Sequence, residues 1–266
     1  MIPVVRAKKA LRRLVSGWRA RSLTVGFVPT MGALHPGHAA LVKRAAAEND
    51  RVVVSVFVNP LQFGPNEDFG RYPRALPADR KLVAAAGAHA VYAPSAEEMY
   101  PQGFHTHVEV EGLSDLYEGK YRPGHFRGVA TVVLKLFNQV QPDRAYFGEK
   151  DWQQVRVIED MIFDLDVAVA LVRVPIIREE DGLAMSSRNA YLSKAQRAAA
   201  PALRRALEAG RKEARRPHSR PETISAALRH ALAGSGLKVQ YAAVWEGRLL
   251  AAAYLGKTRL IDNVPL

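Results

Sequence analysis

Apolar and polar positions divide the chain into two textures. In the first, apolar runs alternate with segments of helical periodicity. Residues 24–28 read as a strand, which passes through a glycine-containing turn into a helix entered near Gly37. The run RVVVSVFVN from Arg51 is almost continuously apolar and β-branched, the pattern of a strand buried on both faces. Residues 79–88 read as a helix with Gly87 as its stop, and residues 90–93 as a short strand. Residues 95–127 are less regular, with a candidate strand at 106–110. Val129, Val132, Val133, Leu136, Phe137 and Val140 recur at helical spacing and predict a helix over 129–140. A strand at 144–147, a helix opened by Asp151 as N-cap, and a strand at 168–174 complete the series. Strands and helices alternating through short links specify a parallel sheet with right-handed crossovers.

The second texture begins near Arg178. REEDGLAMSSRN is polar and loop-like, and a long basic helix is expected after Ser193. The Pro-rich link RRPHSRP precedes a helix over 222–233. Strand-like stretches near Val239, Leu249 and Thr258, joined by Glu246-Gly247 and Leu255-Gly256, predict an antiparallel meander. The expected fold is α/β. A Rossmann-like parallel-sheet domain covers residues 1–176, and a smaller α+β domain covers 177–266.

Composition narrows the class. A chain of 266 residues, 48% hydrophobic and 24% charged, has the length and balance of one large or two modest globular domains. The absence of cysteine excludes a disulfide framework, a thiolate nucleophile and a cysteine zinc site, and it fits a cytoplasmic location. Arg, Lys or Gly interrupts every long apolar run, so no membrane span is expected. The net charge of +12 suits either a nucleic-acid binder or an enzyme for anionic substrates. Basic residues are dispersed, and the 8% of aromatics do not interleave with them as a base-stacking platform requires, so no nucleic-acid partner is expected. Residues 6–21 carry seven Lys/Arg and no acid. With Leu11, Leu14 and Trp18 on one face, they read as a surface helix rather than a targeting segment.

Candidate chemistry gathers where an open parallel sheet places ligands, at the carboxyl ends of its strands. His35 and His38, three residues apart, share one face where the first turn becomes a helix. Free backbone N–H groups and the helix dipole make such a turn an anion site. Asn59 and Gln62 follow the second strand, Gly148, Glu149, Lys150 and Asp151 a later one, and Met185, Ser186, Ser187 and Arg188 the last. These loops are expected to converge on one rim. The set contains no paired carboxylates and no Ser-His-Asp order. It favours phosphate or nucleotide chemistry by positioning and electrostatics. The histidine pair lacks a third ligand at metal spacing, so no protein metal site is assigned.

The motifs PTMGALHPGH, VSVFVNPLQFGPNEDFGRYPR, YRPGHFRGVATVVLKLFNQVQPDRAYFGEKDWQQ, DGLAMSSRN and YLGKTRLIDN together resemble the pantothenate synthetase (pantoate–β-alanine ligase) family. PTMGALHPGH carries the HIGH signature of the nucleotidyltransferase superfamily. The resemblance runs over residues 24–263 and is weakest over 211–238. It implies ATP-dependent condensation of pantoate with β-alanine, through a pantoyl adenylate, to pantothenate, AMP and diphosphate. It implies ATP binding by Met31, Gly32, Ala33, Leu34, His35, Pro36, Gly37 and His38, by Gly148, Glu149, Lys150 and Asp151, by Ile177 through its backbone, and by Met185, Ser186, Ser187 and Arg188. His38 matches the family's proton donor, and His35, Lys150 and Arg188 join it as catalytic groups. Gln62 and Gln154 match the pantoate-binding glutamines, Gln62 also serving β-alanine. The resemblance further implies Mg2+, with Asp79 as a candidate outer ligand, a C-terminal lid and a homodimer.

Overall fold

The computed structural model describes residues 2–65 and 67–266. In chain order the first elements are β1 (Val4–Val5), α1 (Lys8–Arg19), β2 (Val25–Thr30), α2 (Pro36–Glu48), β3 (Arg51–Val56), α3 (Leu76–Ala85), β4 (Ala90–Tyr92) and α4 (Ala96–Met99). They continue with α5 (Tyr117–Tyr121), α6 (His125–Val140), β5 (Arg144–Gly148), α7 (Trp152–Asp164) and β6 (Ala170–Val174). The last are α8 (Lys194–Ala199), α9 (Ala202–Ala214), α10 (Pro221–Ala231), β7 (Lys238–Trp245), β8 (Arg248–Leu255) and β9 (Thr258–Pro265). Two compact units result: residues 1–149 with 153–175, and residues 150–152 with 176–266.

The first unit is a six-stranded parallel sheet ordered β1-β4-β3-β2-β5-β6. Its central strands are apolar on both faces because helices cover both. On β2, Phe27 joins one core with Leu11, Phe137 and Ile158, whereas its neighbour Val28 joins the other with Leu41, Val42 and Val83. The same alternation separates Val53 from Val54 on β3. The basic opening stretch is an integral helix. α1 buries Leu11 and Val15, and Trp18 packs on the first of these cores.

Several element boundaries depart from the sequence pattern for identifiable reasons. β1 has only two residues, too short to register as a run. α3 starts at Leu76, three residues before Asp79, because Pro77 is tolerated in a first turn where no intrahelical N–H is needed. α6 starts at His125 because Gly124, at φ +78°, supplies a left-handed lead-in. Residues 106–110 form no strand. Val108 instead packs against the core, and its N–H donates to Thr131 Oγ1 at 2.9 Å. The long helix expected after Ser193 is two helices, α8 and α9, separated at Ala200 and Pro201, because Pro201 has no N–H to continue the ladder.

The second unit packs α9 and α10 on the antiparallel sheet β7-β8-β9. Glu246 and Gly247 both have positive φ, 45° and 71°, the two-residue turn whose twist matches antiparallel strands. Asp262, 5% exposed, takes a two-pronged hydrogen bond from Arg178 at 2.7 and 2.9 Å. Replacing Asp262 with Ala leaves the guanidinium without its counter-charge in a closed setting. The expected cost is about 3–5 kcal/mol in denaturant unfolding. A loss below about 1 kcal/mol would show that the pair is dispensable.

Candidate active site

The turn between β2 and α2 is built around a buried carboxylate. Gly32 (φ +84°) and Ala33 (φ +53°) both adopt left-handed backbone. A side chain at Gly32 would meet Val56 at 2.9 Å and Asp79 at 3.0 Å, so glycine is required there. The reversal presents the Ala33 and Leu34 N–H groups to Asp79, which accepts them at 3.1 Å (Oδ2) and 2.8 Å (Oδ1). Asp79 is 3% exposed. Burial pushes its pKa up, and the bonds from Leu34 and Ala33 oppose that rise. Both of its oxygens accept from the loop, so Asp79 braces the turn.

Beyond the turn, His35 is the N-cap of α2 and Pro36 its first residue. His35 Nδ1 accepts from Gly37 N–H at 3.2 Å, and His38 Nδ1 accepts from His35 N–H at 3.3 Å. The two rings pack 4.1 Å apart. This reciprocal cap satisfies helix N–H groups that have no intrahelical partner. A ring nitrogen that accepts carries no proton, so in this arrangement Nε2 of each ring is the nitrogen left to donate. Each histidine is thus a donor through Nε2 at a helix N-terminus.

Gln62 ends a 3-10 turn, Pro60–Gln62, that follows β3. It is 8% exposed. Its Oε1 accepts from Asn59 Nδ2 at 3.1 Å, and its Nε2 lies 3.0 Å from Met31 Sδ. The loops after β2 and β3 therefore meet. Asn59, 1% exposed, is itself held by Tyr100 Oη (2.8 Å), Leu61 N–H (3.2 Å) and the Gly128 carbonyl (3.0 Å). Gln154 is half-buried in the first turn of α7, which follows β5. Its neighbour Gln153 has another task. Its side chain accepts from Glu118 N–H (2.9 Å) and donates to the Leu113 and Leu116 carbonyls (2.7 and 2.8 Å), tying α7 to the segment ahead of α6. Because β3, β2 and β5 are parallel neighbours, Gln62, the histidines and Gln154 all follow strand carboxyl ends at one edge of the sheet. Gly148 closes β5, and Glu149 opens a 3-10 turn, Glu149–Asp151, that leads into α7.

The remaining expected residues belong to the second unit. Lys150 Nζ lies 4.0 Å from Asp151, and the Lys150 carbonyl accepts from Asn263 Nδ2 at 3.0 Å. The Arg248 guanidinium stacks 4.2 Å over Trp152 and also bonds Asn263. Ile177 O accepts from Met185 N–H at 3.0 Å, closing a short hairpin whose other bridge joins Arg178 and Ala184. Ser186 caps the 3-10 turn Ser187–Tyr191 by accepting from Arg188 N–H at 3.3 Å. Asn189 fastens the same turn to the Ala184 carbonyl at 3.1 Å. Ile177, Met185, Ser186, Ser187 and Arg188 thus lie on one hairpin and the turn that continues it.

Sequence reasoning named Asn59, and Asp79 only as a candidate metal ligand, and missed the other supporting residues. Asp79, Gln153 and Asn263 act on backbone groups far along the chain, and nothing in their local sequence announces that. Among the described residues, no group of three His, Asp or Glu is disposed to hold a metal ion. Among those residues, too, no helix is long and apolar enough to cross a membrane.

Comparison with known proteins places this geometry. The family model for pantoate-beta-alanine ligase matches residues 3–265. The pantothenate synthetase of Moorella thermoacetica is 49% identical over 97% of this chain and 96% of its own length. That of Rhodospirillum rubrum is 50% identical over 99% and 98%. The solved pantothenate synthetase of Thermus thermophilus superposes with a TM-score of 0.91 at 48% identity, covering 99% of both chains. A Francisella tularensis pantoate-beta-alanine ligase, solved with a β,γ-ATP compound and β-alanine, gives 0.87 at 36% identity over 100% of this chain and 98% of its own. The chain belongs to the pantoate–β-alanine ligase family.

Proposed function

We propose that this chain condenses pantoate with β-alanine at the expense of ATP, releasing AMP and diphosphate. A carboxylate acylates an amine only when its oxygen carries a good leaving group. In the first step a pantoate carboxylate oxygen bonds the α-phosphorus, and the bond from that phosphorus to the diphosphate breaks. In the second the β-alanine nitrogen bonds the acyl carbon, the C–O bond to AMP breaks, and the amine loses a proton. The observation that carries the reading is the reciprocal histidine cap, which sets His35 and His38 side by side at the N-terminus of α2 with Nε2 of each left to donate. Such donors stabilise negative charge that grows on phosphate oxygens during transfer. In this role His38 is the proton donor, acting through Nε2.

The remaining assignments follow the same logic. Met31, Gly32, Ala33, Leu34, Pro36 and Gly37 offer backbone to the nucleotide, as do Gly148, Glu149, Asp151 and Ile177. Lys150 and Arg188 supply charge to the phosphates, with Met185, Ser186 and Ser187 beside them in sequence. Gln62 and Gln154 bind the pantoate hydroxyl and carboxylate oxygens through amides, adding no charge next to a triphosphate. Gln62 also meets β-alanine. Mg2+ bound with the nucleotide would be held by phosphate oxygens and water rather than by a protein cage, and would offset phosphate charge. The second unit serves as the lid that keeps water from the adenylate.

The protein works in the cytoplasm as a homodimer. The dimer reading is supported by β6, an edge strand, and by Phe163 and Leu165 at the end of α7, which are 82% and 50% exposed.

Three measurements test these readings. AMP release is expected only when ATP, pantoate and β-alanine are all present, and AMP release that ignored pantoate would overturn the substrate assignment. His38→Ala is expected to slow pantoyl-adenylate formation about a hundredfold or more in single-turnover assays. A drop under about threefold would remove His38 from the chemistry. Sedimentation is expected to give a dimer for the native chain and a monomer for Phe163→Glu, while a native monomer would exclude the dimer.

A further inference from the structure

Gln62 sits on a three-residue 3-10 turn, an element too short to hold a side chain in place by itself. Its backbone is restrained from one face of α6. The backbone of that helix passes so close that a Cβ at Gly128 would fall 2.2 Å from the Leu61 carbonyl oxygen and 2.7 Å from Gln62 N. One turn earlier on the same face is His125, 8% exposed, with Nδ1 2.9 Å from the Gln62 carbonyl oxygen.

The tautomer of that ring follows from its other neighbour. Arg122 Nη1 lies 2.9 Å from His125 Nε2. A guanidinium has only donors, so Nε2 must accept, and the single proton must be on Nδ1. His125 therefore donates to the Gln62 carbonyl. Arg122 adds a second, longer contact to the same oxygen, Nη2 at 3.4 Å. Arg122 is aimed in turn by Glu67, whose two carboxylate oxygens take Nε and Nη2 at 2.7 Å each. Glu118 lies 4.0 Å from the same guanidinium.

We propose that His125, with Arg122 and Glu67 behind it, is a positioning residue for pantoate recognition, holding the Gln62 carbonyl so that the Gln62 amide meets the substrate in one orientation. This rests on the reading of Gln62 as a pantoate residue. Geometry favours it over a packing role alone. The chain Glu67–Arg122–His125 ends on the main chain of one residue, and that residue's side chain is separately held by Asn59. Burial, then the Arg122 charge, pushes the His125 pKa down to about 4, against the opposing pull of the Gln62 carbonyl, Glu118 and Glu67. The ring is thus neutral at pH 7 and keeps the single-proton tautomer that the relay needs. The motif YRPGHFRG supplies Arg122, His125 and Gly128 together.

The test is a double-mutant cycle read through steady-state kinetics. Pantoate and ATP are varied separately for His125→Leu, His125→Asn, Gln62→Ala and the combined His125→Leu/Gln62→Ala chain. Circular dichroism and thermal melting check that each is folded. His125→Leu is expected to raise the KM for pantoate about tenfold and to leave that for ATP within about twofold. His125→Asn, whose amide N–H can replace Nδ1–H, is expected to return the pantoate KM to within about threefold of native. In the Gln62→Ala background the leucine change should add no more than about twofold, because the residue it acts through is gone. A full effect persisting in that background, or an equal rise for both substrates without rescue by Asn, would overturn the proposal. If Gln62→Ala alone leaves the pantoate KM unchanged, the assignment of Gln62 fails and the proposal falls with it. Should His125→Leu not fold, Glu67→Gln carries the test, with an expected rise of about threefold in pantoate KM alone. No rise there would equally overturn it.

Discussion

Two backbone N–H groups, those of Ala33 and Leu34, end on the two oxygens of Asp79, and the candidate active site starts from that contact. The positive φ angles at Gly32 and Ala33 turn these amides toward one point, where nothing in the helix could satisfy them. A carboxylate in a closed setting is costly unless hydrogen-bonded, so turn and carboxylate stabilise each other. The chain leaves this knot at His35, which enters α2 already placed as its cap. The mutual capping of His35 and His38 then leaves Nε2 of each ring as the nitrogen to donate. Proton position, which decides what an imidazole can do for a phosphate, thus traces back to a backbone reversal.

Much of this was legible in the sequence because local rules carried it. A continuous apolar run such as VVVSVFV tells of a strand covered on both sides, and Phe27 and Val28 do face different cores. Glu246-Gly247 announces a hairpin because few residue pairs tolerate two positive φ angles in succession. The start of α6 was less legible because Gly124 has to be recognised as a left-handed lead-in rather than a break. The segment 106–110 misled for a different reason. Its alternation is real, and Val108 is partly buried, but its N–H goes to the Thr131 side chain rather than to a strand.

The roles of the residues that hold the site were not legible, Asn59 apart. Asp79 reads locally as a first-turn helix acid, and His125 as part of a Gly- and Arg-rich loop. Each gains its role from a partner on another element, across distances in sequence that only the strand order closes. A side chain that supplies one hydrogen bond to a distant backbone atom leaves no periodic trace, whereas one that repeats along an element does. Nearest neighbours can also divide the work, as Gln153 and Gln154 do, and identical chemistry in the sequence hides that division.

One consequence concerns how separable the two halves of the chain are. Lys150, Asp151 and Trp152 interrupt the first unit in sequence yet count with the second, where Asn263 takes the Lys150 carbonyl and Arg248 lies over the Trp152 ring. A C-terminal fragment cut at residue 176 would lack the indole and the carbonyl that two of its own strand residues use. Synthesis from the N-terminus delivers those three residues before β8 and β9 exist, so the late sheet is completed around a tripeptide already made. The C-terminal piece is therefore not a portable module, and exchange between relatives by recombination at that point would have to carry the tripeptide along.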